Sequence, residues 1–206
     1  MNSLAAAVAH DMKNRLAILG EELARLRGLS LSPQAQAHVA IASEQATQVT
    51  AKLVELLTVQ KAAASGGLRA AVQEELPELF LADVHAAAMP LAGGRVELAR
   101  RVDNAPAFWF FDQHLVRLAL DSALHNALRF AASRITLGCR MEGGLLCFYV
   151  HDDGPGVQEQ GCETSTGLGR TLCDEVARAH RNGGRQGYSS LRNHHNGGAL
   201  FELHLP

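Results

Sequence analysis

Val150-His151-Asp152-Asp153-Gly154-Pro155-Gly156-Val157 decides how this chain is read. An apolar run leads into it, so the stretch marks the end of a strand, and its two closely spaced glycines let the backbone approach a ligand. A carboxylate at such a strand end accepts a hydrogen bond from an exocyclic amine such as that of adenine. Alone, D-x-G-x-G is also a structural turn. A second glycine element, Thr166-Gly167-Leu168-Gly169, leads straight into a helical pattern, where backbone amides and the helix dipole receive phosphate oxygens. The two elements flank one short segment, Gln158 to Ser165, and together they point to a phosphorylated ligand.

Upstream, His125-Asn126-Ala127-Leu128-Arg129-Phe130 lies on an amphipathic pattern running from Asp112 to about Ala131. The side-chain oxygen of Asn126 suits Mg²⁺, which takes few protein ligands and keeps phosphates and waters for the rest. Arg129, about one turn on, is placed to neutralise phosphate charge. Around these motifs the pattern predicts a helix near Leu76 to Met89, strands at Arg95 to Val102, Ala107 to Phe111, Ile135 to Met141 and Leu145 to His151, a helix at Leu168 to His180, and strands near Gly187 and at Ala199 to Leu205. That is an α+β arrangement of helices on a sheet.

The first 65 residues differ in kind. They hold no aromatic residue and one proline, and alanine-rich sequence of this type packs as thin helices. Apolar residues recur at Ala5, Ala9, Met12, Leu16, Leu19, Leu23 and Leu26, and again at Val39, Ala42, Ala46, Val49, Leu53 and Leu56, in mostly alternating steps of four and three. Between the two series, Ser32 is a helix cap and Pro33 opens the next helix. A two-helix hairpin cannot bury its own seam, so the expectation is a second copy and a four-helix dimer. Domains are expected at residues 1–64 and 65–206, joined by a linker from Ala62 to Gly67.

On the hairpin, His10 falls one position past a seam residue and faces solvent, followed by Asp11 and, one turn later, Asn14. A neighbouring carboxylate orients an imidazole or takes its proton, and an amide four residues on positions water or a phosphoryl oxygen. No second histidine sits at metal-ligand spacing from His10, so a nucleophile is the better functional reading.

Composition narrows the field. With 206 residues, 47% apolar and 19% charged, and a net charge of -2, the chain lacks the basic surplus that nucleic acid or an anionic membrane selects. No apolar run is long enough to span a bilayer and no signal segment is evident. A cytoplasmic protein is expected, or the cytoplasmic part of a longer membrane-bound sensor, with no sensor domain ahead of His10. Cys139, Cys147, Cys162 and Cys173 form no C-x-x-C pair, and no histidine is spaced from a cysteine as a ligand partner, so no metal cluster of that type is expected.

Together these residues resemble two-component sensor histidine kinases, within the wider group of ATPases that share the Bergerat nucleotide fold, and the likeness covers nearly the whole chain. The resemblance implies a hairpin forming a dimeric four-helix bundle followed by a Bergerat-type α/β sandwich that binds ATP. His10-Asp11-Met12-Lys13-Asn14 is similar to the phosphoacceptor box: His10 is phosphorylated, Asp11 assists proton transfer, and Asn14 helps dephosphorylate the partner. His125 to Phe130 resembles the asparagine box, with Asn126 on Mg²⁺, Arg129 near the phosphates and Phe130 near the nucleotide. Asp152, Gly154 and Gly156 match the first glycine box, where the aspartate meets the adenine amino group. Thr166, Gly167, Leu168 and Gly169 match the second, beside the triphosphate.

Three positions depart from the family pattern. Ser122 stands where a second asparagine is common, the segment between the glycine boxes is short and lacks phenylalanine, and Arg170 replaces the usual leucine. The expected function is autophosphorylation on His10 with Mg-ATP and transfer to an aspartate of a response-regulator receiver domain. The alternative is a histidine phosphotransfer relay with a degenerate, non-catalytic ATP-binding domain.

Overall fold

The structure is a computed structural model that describes residues 3–157 and 167–206; in its first helix, the side chains of residues 3–7, 9 and 10 lie outside the described ones. The chain divides into two compact units, Met1–Ala64 and Ser65–Pro206.

The first unit is the hairpin, α1 (Ser3–Arg27) and α2 (Pro33–Ser65). Ser32 accepts the Ala35 N–H at 3.3 Å and its carbonyl takes the Gln36 N–H, with Pro33 as the first helical residue, so the turn is capped as its sequence predicts. The expected linker is corrected here. Ala62 to Ser65 are the last turn of α2, because alanine is the strongest helix former, and the helix ends only where Gly66 and Gly67 take positive φ. The apolar seam splits by sevens. Leu23 and Ala46 are buried and Leu16, Val39 and Leu53 half-buried, whereas Met12, Leu19 and Leu26 on α1, and Val49 and Leu56 on α2, stay exposed. Leu16, Gly20 and Ala24 face Ser43, Ala46 and Thr47 across a cavity of about 380 Å³.

The second unit runs β1 (Gln73–Glu75), α3 (Pro77–Ala92), β2 (Glu97–Asp103), β3 (Trp109–Phe111), α4 (Gln113–Phe130), β4 (Arg134–Glu142), β5 (Leu145–Asp152), α5 (Leu168–Ala179), β6 (Arg181–Asn182), β7 (Arg185–Gln186), β8 (Tyr188–Asn193) and β9 (Ala199–Leu205). Five strands form one mixed sheet in the order β2-β4-β5-β9-β8, in which β2 and β4 are parallel and the other neighbours antiparallel. The β1–β3 and β6–β7 pairs are too short to carry a periodic signal, and pattern reading misses β1, β6 and β7.

One face of the sheet carries the core. Phe148 of β5 meets Phe80 of α3 and Phe111 of β3 edge-to-face, with centroids 5.3 to 5.5 Å apart around the trio. Leu81, Leu120, Leu137 and Leu172, from three helices and the sheet, are fully buried with them. Asp112 caps α4 by accepting the Leu115 N–H, and its second oxygen accepts the Ala71 N–H. Buried His180 lies beneath this cap: Nδ1–H donates to the Val176 carbonyl, and Nε2 accepts the Asp112 N–H at 3.0 Å. No helix among the described residues is long and apolar enough to cross a membrane.

Candidate functional site

Asp152 is the last residue of β5, opposite Ile135 in the register with β4, and is buried. Its Oδ1 accepts the Gly154 N–H at 2.9 Å and more distantly the Ala199 N–H at 3.4 Å. Its Oδ2 has no protein donor among the described residues, so one oxygen of this carboxylate is open to an outside donor. The next residue does the opposite work. Asp153 gathers the N–H groups of Ala132, Ser133 and Arg134 and the Ser133 hydroxyl. Desolvation acts to raise its pKa, but these hydrogen bonds outweigh it and hold the carboxyl far below its ordinary range. Asp153 staples the loop to the end of α4, whereas Asp152 keeps one oxygen without a donor among the described residues.

Gly154 is required by contact. A Cβ there would lie 2.4 Å from the Phe130 carbonyl oxygen and 2.8 Å from Asp152 Oδ1. The asparagine-bearing helix and the Asp152 loop thus touch through bare backbone, which brings Phe130 of one motif to the Asp152 loop of the other. Gly156 has φ +82° and rests on Asn193. Asn193 accepts the Val157 N–H and donates to the Val157 carbonyl, clamping the loop from the β8 side.

On α4, Asn126, Arg129 and Phe130 are exposed, and the Arg129 guanidinium lies 5.1 Å from the Phe130 ring centroid. Ser122, one turn earlier, is buried. Its neighbour Asp121 is paired with Arg117 at 3.3 Å, and burial raises its carboxyl above the ordinary range. His125 donates from Nδ1 to the Asp121 carbonyl, which leaves Nε2 buried with no protein partner among the described residues.

The second glycine element opens α5. Gly167 is its N-cap with φ +68°, Leu168 and Gly169 form the first turn, and no acidic residue occupies that turn, so its N–H groups retain their attraction for an anion. Arg170 is tied to Asp174 at 3.4 Å. Thr166 and the segment Gln158 to Ser165 lie outside the described residues, as does Cys162.

On the hairpin, His10 lies on α1, and its side chain is outside the described residues. Asp11 is exposed and its carboxylate accepts from Arg15 Nε at 2.8 Å; Asn14 is exposed one turn after His10. Asn193 and His180 escape sequence reading because their partners, Val157 and Asp112, are 36 and 68 residues away along the chain.

Residues 111–206 match the family described as histidine kinase-, DNA gyrase B-, and HSP90-like ATPase. The matched residues lie within the second unit. The chain is also 26% identical, over its whole length, to the C4-dicarboxylate transport sensor protein DctB of Pseudomonas aeruginosa, and it spans 36% of that protein. The ShkA structure in complex with AMPPNP superposes with a TM-score of 0.68 at 21% identity, covering 98% of this chain and 45% of that one. The histidine kinase AdeS of Acinetobacter baumannii gives 0.63 at 17% identity, covering 95% and 96%. At these identities the two structures speak to the fold. The family match and the sensor relative agree with that fold.

Proposed function

We propose that the chain phosphorylates itself on His10 with ATP and passes the phosphoryl group to an aspartate of a response-regulator receiver domain. The observation that carries this reading is Asp152: a buried carboxylate with one oxygen held by backbone and the other unclaimed, beside a loop whose glycine is pressed on Phe130. An acceptor so placed suits the adenine amino group. The first turn of α5 and Arg129 then serve the phosphates. Asn126 is exposed on the same helix, and its amide oxygen would hold Mg²⁺, which when bound screens the charge of the phosphates.

In the transfer, a ring nitrogen of His10 forms a bond to the γ-phosphorus as the bond to the β–γ bridging oxygen breaks, and ADP leaves with the electron pair. Positioning and charge neutralisation supply most of the catalysis. Asp11 orients the ring or takes its proton. The receiver aspartate then displaces the imidazole, and Asn14 supports the reverse hydrolysis by positioning water. Gly66 and Gly67, the break after α2, serve as the pivot for the ATPase domain. Dimerisation through the hairpin is supported by the exposed series Met12, Leu19 and Leu26 with Val49 and Leu56, which a second hairpin would cover.

Incubation with γ-labelled ATP and Mg²⁺ should yield an acid-labile, base-stable phosphoprotein that disappears in His10→Gln. Label that persists in that variant sinks the site assignment. Absence of label, with uptake from a phosphorylated receiver domain, favours the relay. Asp152→Asn should abolish ATP binding and leave the dimer intact, and Asn14→Ala should spare autophosphorylation while slowing dephosphorylation of the partner.

A further inference from the structure

The sheet has a second face, opposite the phenylalanine core. Side chains alternate along a strand, so with Phe148 turned to the helices, Cys147 and Tyr149 point the other way. The register sets Arg140 and His204 on either side of Cys147, and Glu202 beside Tyr149. Residues 57 apart in sequence therefore meet, with Cys147 Sγ 3.8 Å from His204 Nε2. Glu142 and Glu202 complete the group, and one ligand atom from each of the four lies within 4.8 Å of all the others.

Burial is unusual for such a set. Cys147 is 0%, His204 3% and Glu202 4% exposed, while Glu142 stands at the exposed end of β4 and leaves a way in from solvent. His204 is stacked on Tyr188 with centroids 4.3 Å apart, which holds the ring against Cys147. Its Nε2 faces Cys147, and Nδ1, on the other side of the ring, is buried with no hydrogen-bond partner among the described residues.

We propose that Glu142, Cys147, Glu202 and His204 form a binding site for a divalent transition-metal ion of the zinc class. One sulfur, one imidazole and two carboxylates suit Zn²⁺ and exclude Mg²⁺ or Ca²⁺, which avoid sulfur. A tetrahedral zinc ion bonded at about 2.3 Å to sulfur and about 2.0 Å to nitrogen separates that pair by about 3.5 Å, close to the spacing found here. The carboxylates need a modest inward movement, and Glu142 has the freedom for it.

Arg140 now bridges Glu142 and Glu202, and Arg192 also reaches Glu202. These guanidiniums balance the two carboxylates in the absence of metal. The Arg140 guanidinium also lies 4.9 Å from the Tyr149 ring centroid, a contact that does not depend on the carboxylates. On binding, the metal–sulfur bond forms as the thiol proton leaves to solvent, and the ion replaces Arg140 as the counter-charge of the carboxylates.

The test is a Co²⁺ titration of the reduced full chain without nucleotide or Mg²⁺, read by the thiolate-to-cobalt charge-transfer band. One equivalent should produce the band, and Zn²⁺ should erase it. Cys147→Ser should remove it, Glu142→Gln should weaken binding by at least about tenfold, and Arg140→Gln should tighten it. Should Cys147→Ser fail to fold, Glu142→Gln on the exposed rim decides, and unchanged affinity there overturns the proposal. So does cobalt binding without the band, which would place the ion on imidazoles outside the cluster such as His151, His194 and His195, or a band that survives Cys147→Ser.

Discussion

The hairpin and the second unit solve the burial of apolar surface in opposite ways. In Ser65–Pro206 the sheet and its helices enclose Phe80, Phe111 and Phe148 within one chain. In Met1–Ala64 the helices face one another over a cavity of about 380 Å³, and half of the seven-residue series stays in solvent. A layered α/β unit has enough volume to close a core by itself, whereas two thin helices do not. The first region is thus expected to respond to protein concentration and the second to mutation of its own interior.

The largest effect that would separate them is Phe148→Ala. Loss of a fully buried ring from the three-phenylalanine cluster should destabilise the second unit by about 3–5 kcal/mol, followed through Trp109, the chain's single tryptophan. The hairpin dimer should persist; loss of dimer together with the domain would break the comparison. Next is Leu19→Glu, which sets a charge on the exposed series. It should weaken dimerisation by roughly a hundredfold, or about 2.7 kcal/mol, in sedimentation or light scattering, with the Trp109 unfolding transition unmoved. A variant that remains dimeric at low concentration would place the interface elsewhere.

Asp112→Ala should cost the domain about 1 kcal/mol, the usual worth of a helix cap, and slightly more through the lost Ala71 bond. The smallest effect is one of pH. Burial, opposed by the Val176 hydrogen bond and Asp112, lowers the pKa of His180 from its ordinary value. The unfolded chain therefore binds this proton more readily than the folded one. Stability is complete above pH of about 6.5 and falls as pH drops through that value toward the lowered pKa. Chemical denaturation monitored at Trp109 should show a decline that shrinks in His180→Gln, while the hairpin dimer should lack this contribution.

Legibility followed sequence distance. The strand ending in Asp152-Asp153-Gly154, the Ser32 cap before Pro33 and the glycine opening of α5 are local devices, and each left a local mark. Even so, the pattern did not distinguish the two aspartates by environment: Asp153 takes backbone N–H groups about twenty residues away, and that decides which carboxylate is free. The linker was misplaced because Ala62-Ala63-Ala64 reads as spacer by composition, while physically it is the best of helix. The periodic series marked an apolar seam but not which half of it turns inward.

What the sequence alone determined is what short-range chemistry determines: helix periods, caps, strand ends and the glycines that permit close approach. Only the tertiary structure decided which distant groups share a neighbourhood. Cys147 and His204 have no meaningful spacing along the chain, and the antiparallel register of β5 with β9 sets them opposite each other. Asn193 reaches Val157, and His180 reaches Asp112, for the same reason. Backbone pairing across a sheet is specified by the sum of many weak contacts, so the neighbours it creates carry no motif of their own.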